Sequence, residues 1–133
     1  MSLLSNILGL SPLKLTQNLG AYPLPSGDIS PLYVFFNVEN TGRKAVEITS
    51  VGAGAKGAKK PLRLEIEGEI PARIPAGRNL RYRVRAKELA RAAHAVGFSG
   101  TPKLTLVVVD GAGNEHRHGF RLRVDEYLSL KDE

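Results

Sequence analysis

Cysteine and tryptophan are absent from this 133-residue chain, and methionine occurs once. Without cysteine there are no disulfides and no thiolate metal sites. Long apolar runs are absent too. None approaches the roughly 18–20 residues that a membrane-spanning helix needs. The N-terminal stretch MSLLSNILGLSP has no basic residue before Lys14, and Gly9 and Pro12 interrupt its apolar run. It therefore lacks the positive segment of a secretory leader. The expectation is a chain made in the cytoplasm without a signal peptide. Acidic residues are in deficit, 13 against 19 basic, giving a net charge of +6. That balance favours an acidic partner. Catalytic patterns are missing as well: there is no G-x-S-x-G and no Ser-His-Asp order, and carboxylates pair only on surface stripes. With three histidines and no acidic cluster, the expectation is a protein that is not an enzyme and binds no cofactor and no metal.

Apolar residues make up 42% of the chain, enough for a core and too many for a disordered polymer. A domain of this length buries about 65–70% of its extended surface and stands without staples. The boundaries read as an arm with a first strand over 1–30, a β-sandwich over 31–127 and a tail over 128–133.

Ser2 is placed to cap a short helix carrying Leu3, Leu4, Ile7 and Leu8 at helical spacing. So short a helix is not stable alone in water, so this arm is expected to pack on the domain or a partner. A strand is expected at 13–19, followed by a Pro-, Gly- and Ser-rich loop. The segment LYVFFNVENTGRKAVEITSVG, from Leu32 to Gly52, reads as a β-hairpin around Asn-Thr-Gly-Arg. Leu32, Val34, Phe36 and Val38 alternate inward. Tyr33 and Phe35 fall on the opposite face, which is usually polar in an antiparallel sheet, so something must cover them. In the returning strand Val46, Ile48 and Ser50 face one way, and Glu47, Thr49 and Val51 the other.

Further strands are expected at 62–67, with Leu62, Leu64 and Ile66 inward, and at 80–86, with Leu80, Tyr82 and Val84 inward and Arg81, Arg83 and Arg85 outward. The stretch PARIPAGRN between them reads as a turn. KELARAAHAVG reads as a crossover helix burying Leu89, Ala92, Ala93 and Val96, with Gly97 just past its C-terminus. KLTLVVVD, apolar on both faces, is expected to be central. It pairs in a hairpin with a last strand that buries Phe120, Leu122 and Val124. That makes about seven strands, the pattern of a sandwich.

Three of these segments resemble the bacterial and phage immunoglobulin-like domains: VENTGRKAVEITSVG, IPAGRNLRYRV and DGAGNEHRHGFRLRV, across Leu32 to Asp125. The resemblance implies an all-β, immunoglobulin-like antiparallel β-sandwich of about seven strands with one short crossover helix and an N-terminal arm. It carries no catalytic residues, and such domains usually bind, scaffold or decorate.

The candidate chemistry is sparse. His116 and His118, two apart on a strand, point to one face and can share a zinc ion. A third ligand, Asp110 or Asn114, comes into reach only if the turn folds back, and Arg117 and Arg121 repel a cation. A solvated hairpin edge is the reading taken. The Asp110–Asn114 turn offers too few carboxylates for calcium and reads as a hairpin loop. The loop GAGAKGAKK has no phosphate-loop pattern. The arginine stripe is expected to be masked by Arg63, Glu65 and Glu67 on a neighbouring strand. It also lacks interleaved aromatics along its own strand.

The functional expectation is a non-catalytic interaction module that docks on a larger assembly, most specifically a phage virion decoration or accessory protein. Its partner-binding residues are Leu3, Leu4, Ile7 and Leu8 of the arm with Tyr33 and Phe35 of the outer face. The partner is a protein or a second copy, with an acidic surface favoured. The alternative is a domain for a polyanion, nucleic acid or anionic glycan, held by Lys56, Lys59, Lys60, Arg121 and Arg123.

Overall fold

The computed structural model describes residues 12–55 and 62–130. Leu3, Leu4, Ile7, Leu8, Lys56, Lys59 and Lys60 lie outside the described residues. Among the described residues, seven strands and two helices follow in the order β1 (Leu13–Gly20), β2 (Tyr33–Asn40), β3 (Val46–Ala55), β4 (Ala72–Ile74), β5 (Asn79–Arg85), α1 (Ala86–Ala95), β6 (Lys103–Asp110), β7 (Glu115–Arg121) and α2 (Val124–Leu128). The strands form two sheets, β1-β2-β5 and β4-β3-β6-β7, and every pairing is antiparallel. No helix among the described residues is long and apolar enough to cross a membrane.

The core is the space between the sheets. Val34, Phe36 and Val38 of β2 and Tyr82 and Val84 of β5 meet Ile48 of β3 and Leu104, Leu106 and Val108 of β6. The rings of Phe36 and Phe120 touch edge to face across the gap, with centroids 5.5 Å apart. The alternation along β2 and β5 is the one expected from the sequence, and β6 is central as expected, between β3 and β7.

Leu32–Gly52 is not a hairpin. β2 and β3 sit in different sheets, so the Asn-Thr-Gly-Arg connection is a corner between the layers. Asn40, wholly buried, organises it. Its side-chain Nδ2 donates to the carbonyls of Lys44 (2.8 Å) and Ile74 (2.9 Å), and its Oδ1 accepts the Gly42 N–H at 2.9 Å.

Four more expectations are corrected. A β-bulge between Ile48 and Ser50 shifts the register against β6, so Ser50 turns to solvent and Val51 packs toward the core. An extra residue on one strand inverts the alternation beyond it. Residues 62–67 keep the expected burial pattern but form no ladder; only Glu67 pairs, with Arg83. The fourth strand is β4, inside the segment read as a turn. It is a three-residue edge strand between Pro71 and Pro75, the sheet position where proline is tolerated. The last strand stops at Arg121. Leu122 and Val124 are buried as expected, but the chain then turns into α2, which packs on α1.

Helix α1 carries the chain from β5 in one sheet to β6 in the other. Its inner face buries Ala86, Leu89, Ala90, Ala92 and Ala93. Gly97, at φ +97°, allows the Phe98 N–H to reach back to the Ala93 carbonyl at 3.1 Å and its own N–H to reach that of His94 at 3.0 Å, a glycine stop of the expected kind. Val96 leaves the helical conformation at this cap and is 41% exposed, so it does not join the buried face.

Candidate functional site

The outer face of β1-β2-β5 joins several of the residues singled out in the sequence. Register places four rows across it: Lys14, Glu39 and Asn79; Thr16, Asn37 and Arg81; Asn18, Phe35 and Arg83; Gly20, Tyr33 and Arg85. β5 pairs along its length with β2, and with residues 62–67 only through the Glu67–Arg83 bridge. Arg81 and Arg83 therefore meet aromatic rings, and of the carboxylates expected to mask the stripe Glu67 reaches Arg83. Each of these two arginines leans one row along the sheet. The Arg81 guanidinium lies 5.1 Å from the Phe35 ring centre, and that of Arg83 lies 4.4 Å from Tyr33 and 5.4 Å from Tyr22. Tyr22 in turn stacks on Tyr33 at 5.9 Å. Guanidinium–ring contacts of this kind contribute about 0.5–1 kcal/mol each at exposed sites. Their larger effect is to fix the plane in which each cation presents its N–H edge.

The aromatic residues that needed cover are covered by their own chain. Tyr33 is only 5% exposed beneath Arg83 and Tyr22, while Phe35 is half-buried under Arg81. Phe35 lies against the bare backbone of Gly20; a Cβ there would stand 3.1 Å from its Cε2. Arg83 is well tied down. It donates from Nη1 to the Tyr22 hydroxyl at 3.0 Å, and its Nη2 lies 3.5 Å from Glu67 Oε1. The Tyr22 hydrogen bond leads in raising its pKa, burial opposes it, and Tyr33 and Glu67 add to the rise. Arg81 is exposed and forms no ion pair among the described residues.

A groove of about 610 Å³ between residues 63–67, the end of β5 and α1 sets Arg63, Arg85 and Arg91 against Glu65, Glu67 and Glu88. Arg121 lies exposed on β7, where it donates to the Thr101 carbonyl at 3.2 Å. Arg123, just before α2, lies 3.7 Å from Glu126.

The histidine pair is not a solvated edge. His116 and His118 take the inward side of β7, with Phe120, and are half-buried. The turn folds back far enough to bring Asp110 to His116, Oδ2 to Nε2 at 2.9 Å. The other carboxylate oxygen accepts the N–H groups of Ala112 and Asn114, each at 3.0 Å. Among the described residues no three His, Asp or Glu side chains gather as a metal site.

Asp110 therefore clasps its own hairpin. Burial works to raise its pKa, but the hydrogen bonds from His116, Asn114 and Ala112 outweigh it and hold the carboxyl below its ordinary value of 3.8. A lowered folded pKa means stability that is present above the unfolded value and lost as pH falls through the folded one. The stability advantage of the native chain over Asp110→Asn should thus be full at neutral pH and shrink once the pH drops below 3.8. Urea unfolding of both proteins across that range checks it; a pH-independent difference would count against the clasp.

No protein-family model and no curated protein matches this chain. Among solved structures it is similar to the X-ray structure of Northeast Structural Genomics Consortium target SoR45, at 15% identity and a TM-score of 0.46, over 92% of this chain and 94% of that one.

Proposed function

We propose that this chain is a non-catalytic interaction module that docks on a larger assembly. The outer face of β1-β2-β5 carries the proposal. It is an open sheet surface on which arginines are held over aromatic rings, a form suited to meeting another macromolecule. The strand order supports the immunoglobulin-like reading. The first, second and fifth strands share one sheet and the third, sixth and seventh the other, as in that sandwich, with the fourth moved to the edge of the third. Because such folds host many functions, the weight rests on the face and not on the fold.

The most specific form of the proposal is a phage virion decoration or accessory protein. Leu3, Leu4, Ile7 and Leu8 would clamp a neighbouring copy or partner while the sheet face meets the assembly. The net charge of +6 fits an acidic surface there. Size-exclusion chromatography with light scattering, on the full chain and on a variant lacking residues 1–12, tests the arm's part. The expected result is an oligomer that falls to a monomer on deletion. A full chain already monomeric, or an oligomer indifferent to the deletion, would overturn that part.

A further inference from the structure

Resting on that docking reading, we infer that the outer face of β1-β2-β5 takes an extended acidic polypeptide segment, a carboxylate of which is received by Arg81 on β5. Three observations converge on this class of partner. The face is net basic: Lys14, Arg81, Arg83 and Arg85 stand there against Glu39 and Glu67. The cations are not loose. Arg81 is laid on Phe35 and Arg83 on Tyr33 and Tyr22, so their planar forks are oriented before any partner arrives. A guanidinium so held receives a carboxylate through two parallel N–H···O bonds. Finally, the arginines alternate along a strand, so successive ones are spaced roughly 6.7 Å apart. That is the period at which every second side chain of an extended peptide falls, so a segment whose carboxylate sits on Arg81 carries its further alternate acids along the same basic row.

The same face is poorly made for single-stranded nucleic acid. Bases need open ring faces on which to stack, and here the rings are already covered: Tyr33 is 5% exposed, with Arg83 above it. Arg83 is also committed to the Tyr22 hydroxyl and Glu67. It positions the platform, and Arg81 is the cation left to receive the ligand.

Fluorescence anisotropy on the full chain tests this with three labelled probes: a peptide of alternating Glu and Thr, one of alternating Lys and Thr, and a single-stranded oligothymidylate. The expected result is binding of the acidic peptide alone at low salt, weakening as salt screens the contact. Arg81→Gln should reduce its affinity about tenfold, the loss of a charge-assisted bidentate contact. Arg81→Lys should recover only part of it, and both variants should melt as the native chain does. Failure of the acidic peptide to bind, or full binding by Arg81→Gln, overturns the inference. Tighter binding of the oligothymidylate overturns it in favour of a nucleic-acid surface. If the peptide fails while arm-dependent assembly persists, the docking reading survives and only the acidic partner falls.

Discussion

Replacing Asn40 with alanine is expected to lower the unfolding free energy by about 3 kcal/mol, because each buried polar group left unpaired costs roughly 1–3 kcal/mol. The side chain is wholly buried at the corner where β2 leaves one sheet and the chain starts toward the other. Three main-chain groups depend on it: the carbonyls of Lys44 and Ile74 and the N–H of Gly42. Ile74 closes β4, so one amide ties both sheets to the connection between them. The Asn40 main chain adds to the knot, accepting from the Gly77 N–H at 2.9 Å and donating to the Arg78 carbonyl at 2.8 Å; the substitution leaves these two bonds in place. Asn40→Asp keeps the shape and removes both donors, and it buries a charge facing two carbonyl oxygens. It should cost at least as much as the alanine. Equilibrium urea unfolding of the three proteins is the measurement. A loss under about 1 kcal/mol, the net value of one ordinary hydrogen bond, would mean that water replaces the amide and that the corner does not rely on it.

That corner also marks where reading from the sequence stops working. Alternation along Val34–Val38, Tyr82–Val84 and Leu104–Val108 was legible because the period of a strand is local. Asn-Thr-Gly-Arg was read as a hairpin because a turn has the same residues whether it returns to its own sheet or crosses to the other. The choice is made by tertiary partners, here the pairing of β2 with β1 and β5 and of β3 with β6. Residues 62–67 show the same limit: the chain can bury alternate residues without a ladder, since burial needs only a neighbouring surface. The bulge after Ile48 leaves no local mark, and every parity beyond it inverts.

The candidate site was half legible. Tyr33 and Phe35 were seen to lie on an outer face that needs cover, and Arg81, Arg83 and Arg85 to form a stripe. That the stripe is the cover was not legible. The interleaving of cation and ring runs across strands, between β2 and β5, and a scan along one strand finds only Tyr82, which points inward. A signal did exist in the two alternations taken together. Two outward-facing sets, one aromatic and one basic, are complementary and predict that their strands are neighbours.

Gly68→Ala is expected to cost about 3 kcal/mol, from overpacking against a fixed ring and from backbone strain. Gly68 sits at φ +154°, where residues with a side chain are strained. A Cβ there would collide with Cδ1 of Tyr82 and stand 2.7 Å from Cε1 and 3.1 Å from Cγ. The ring cannot swing away. It is 1% exposed in the core, and its hydroxyl donates to the Glu69 carbonyl at 2.9 Å. Burial, with the Glu69 carboxylate second, raises the Tyr82 pKa, which keeps that donor protonated. The bare backbone of Gly68 thus lets residues 67–69 close over Tyr82, while the Glu67–Arg83 pairing holds the same stretch to β5. The substitution must either displace Tyr82 or lift this stretch, and lifting it also releases Glu67 from Arg83. Gly52→Ala is the matched control. Gly52 lies within β3 without a positive φ, and a Cβ there meets nothing within 4 Å. Removing the glycine's extra unfolded-state freedom should raise stability by about 0.5–1 kcal/mol. Opposite signs from two glycine-to-alanine changes, measured by urea unfolding, are the expected outcome. Equal effects would mean that glycine's backbone entropy, and not the seat of Tyr82, governs position 68.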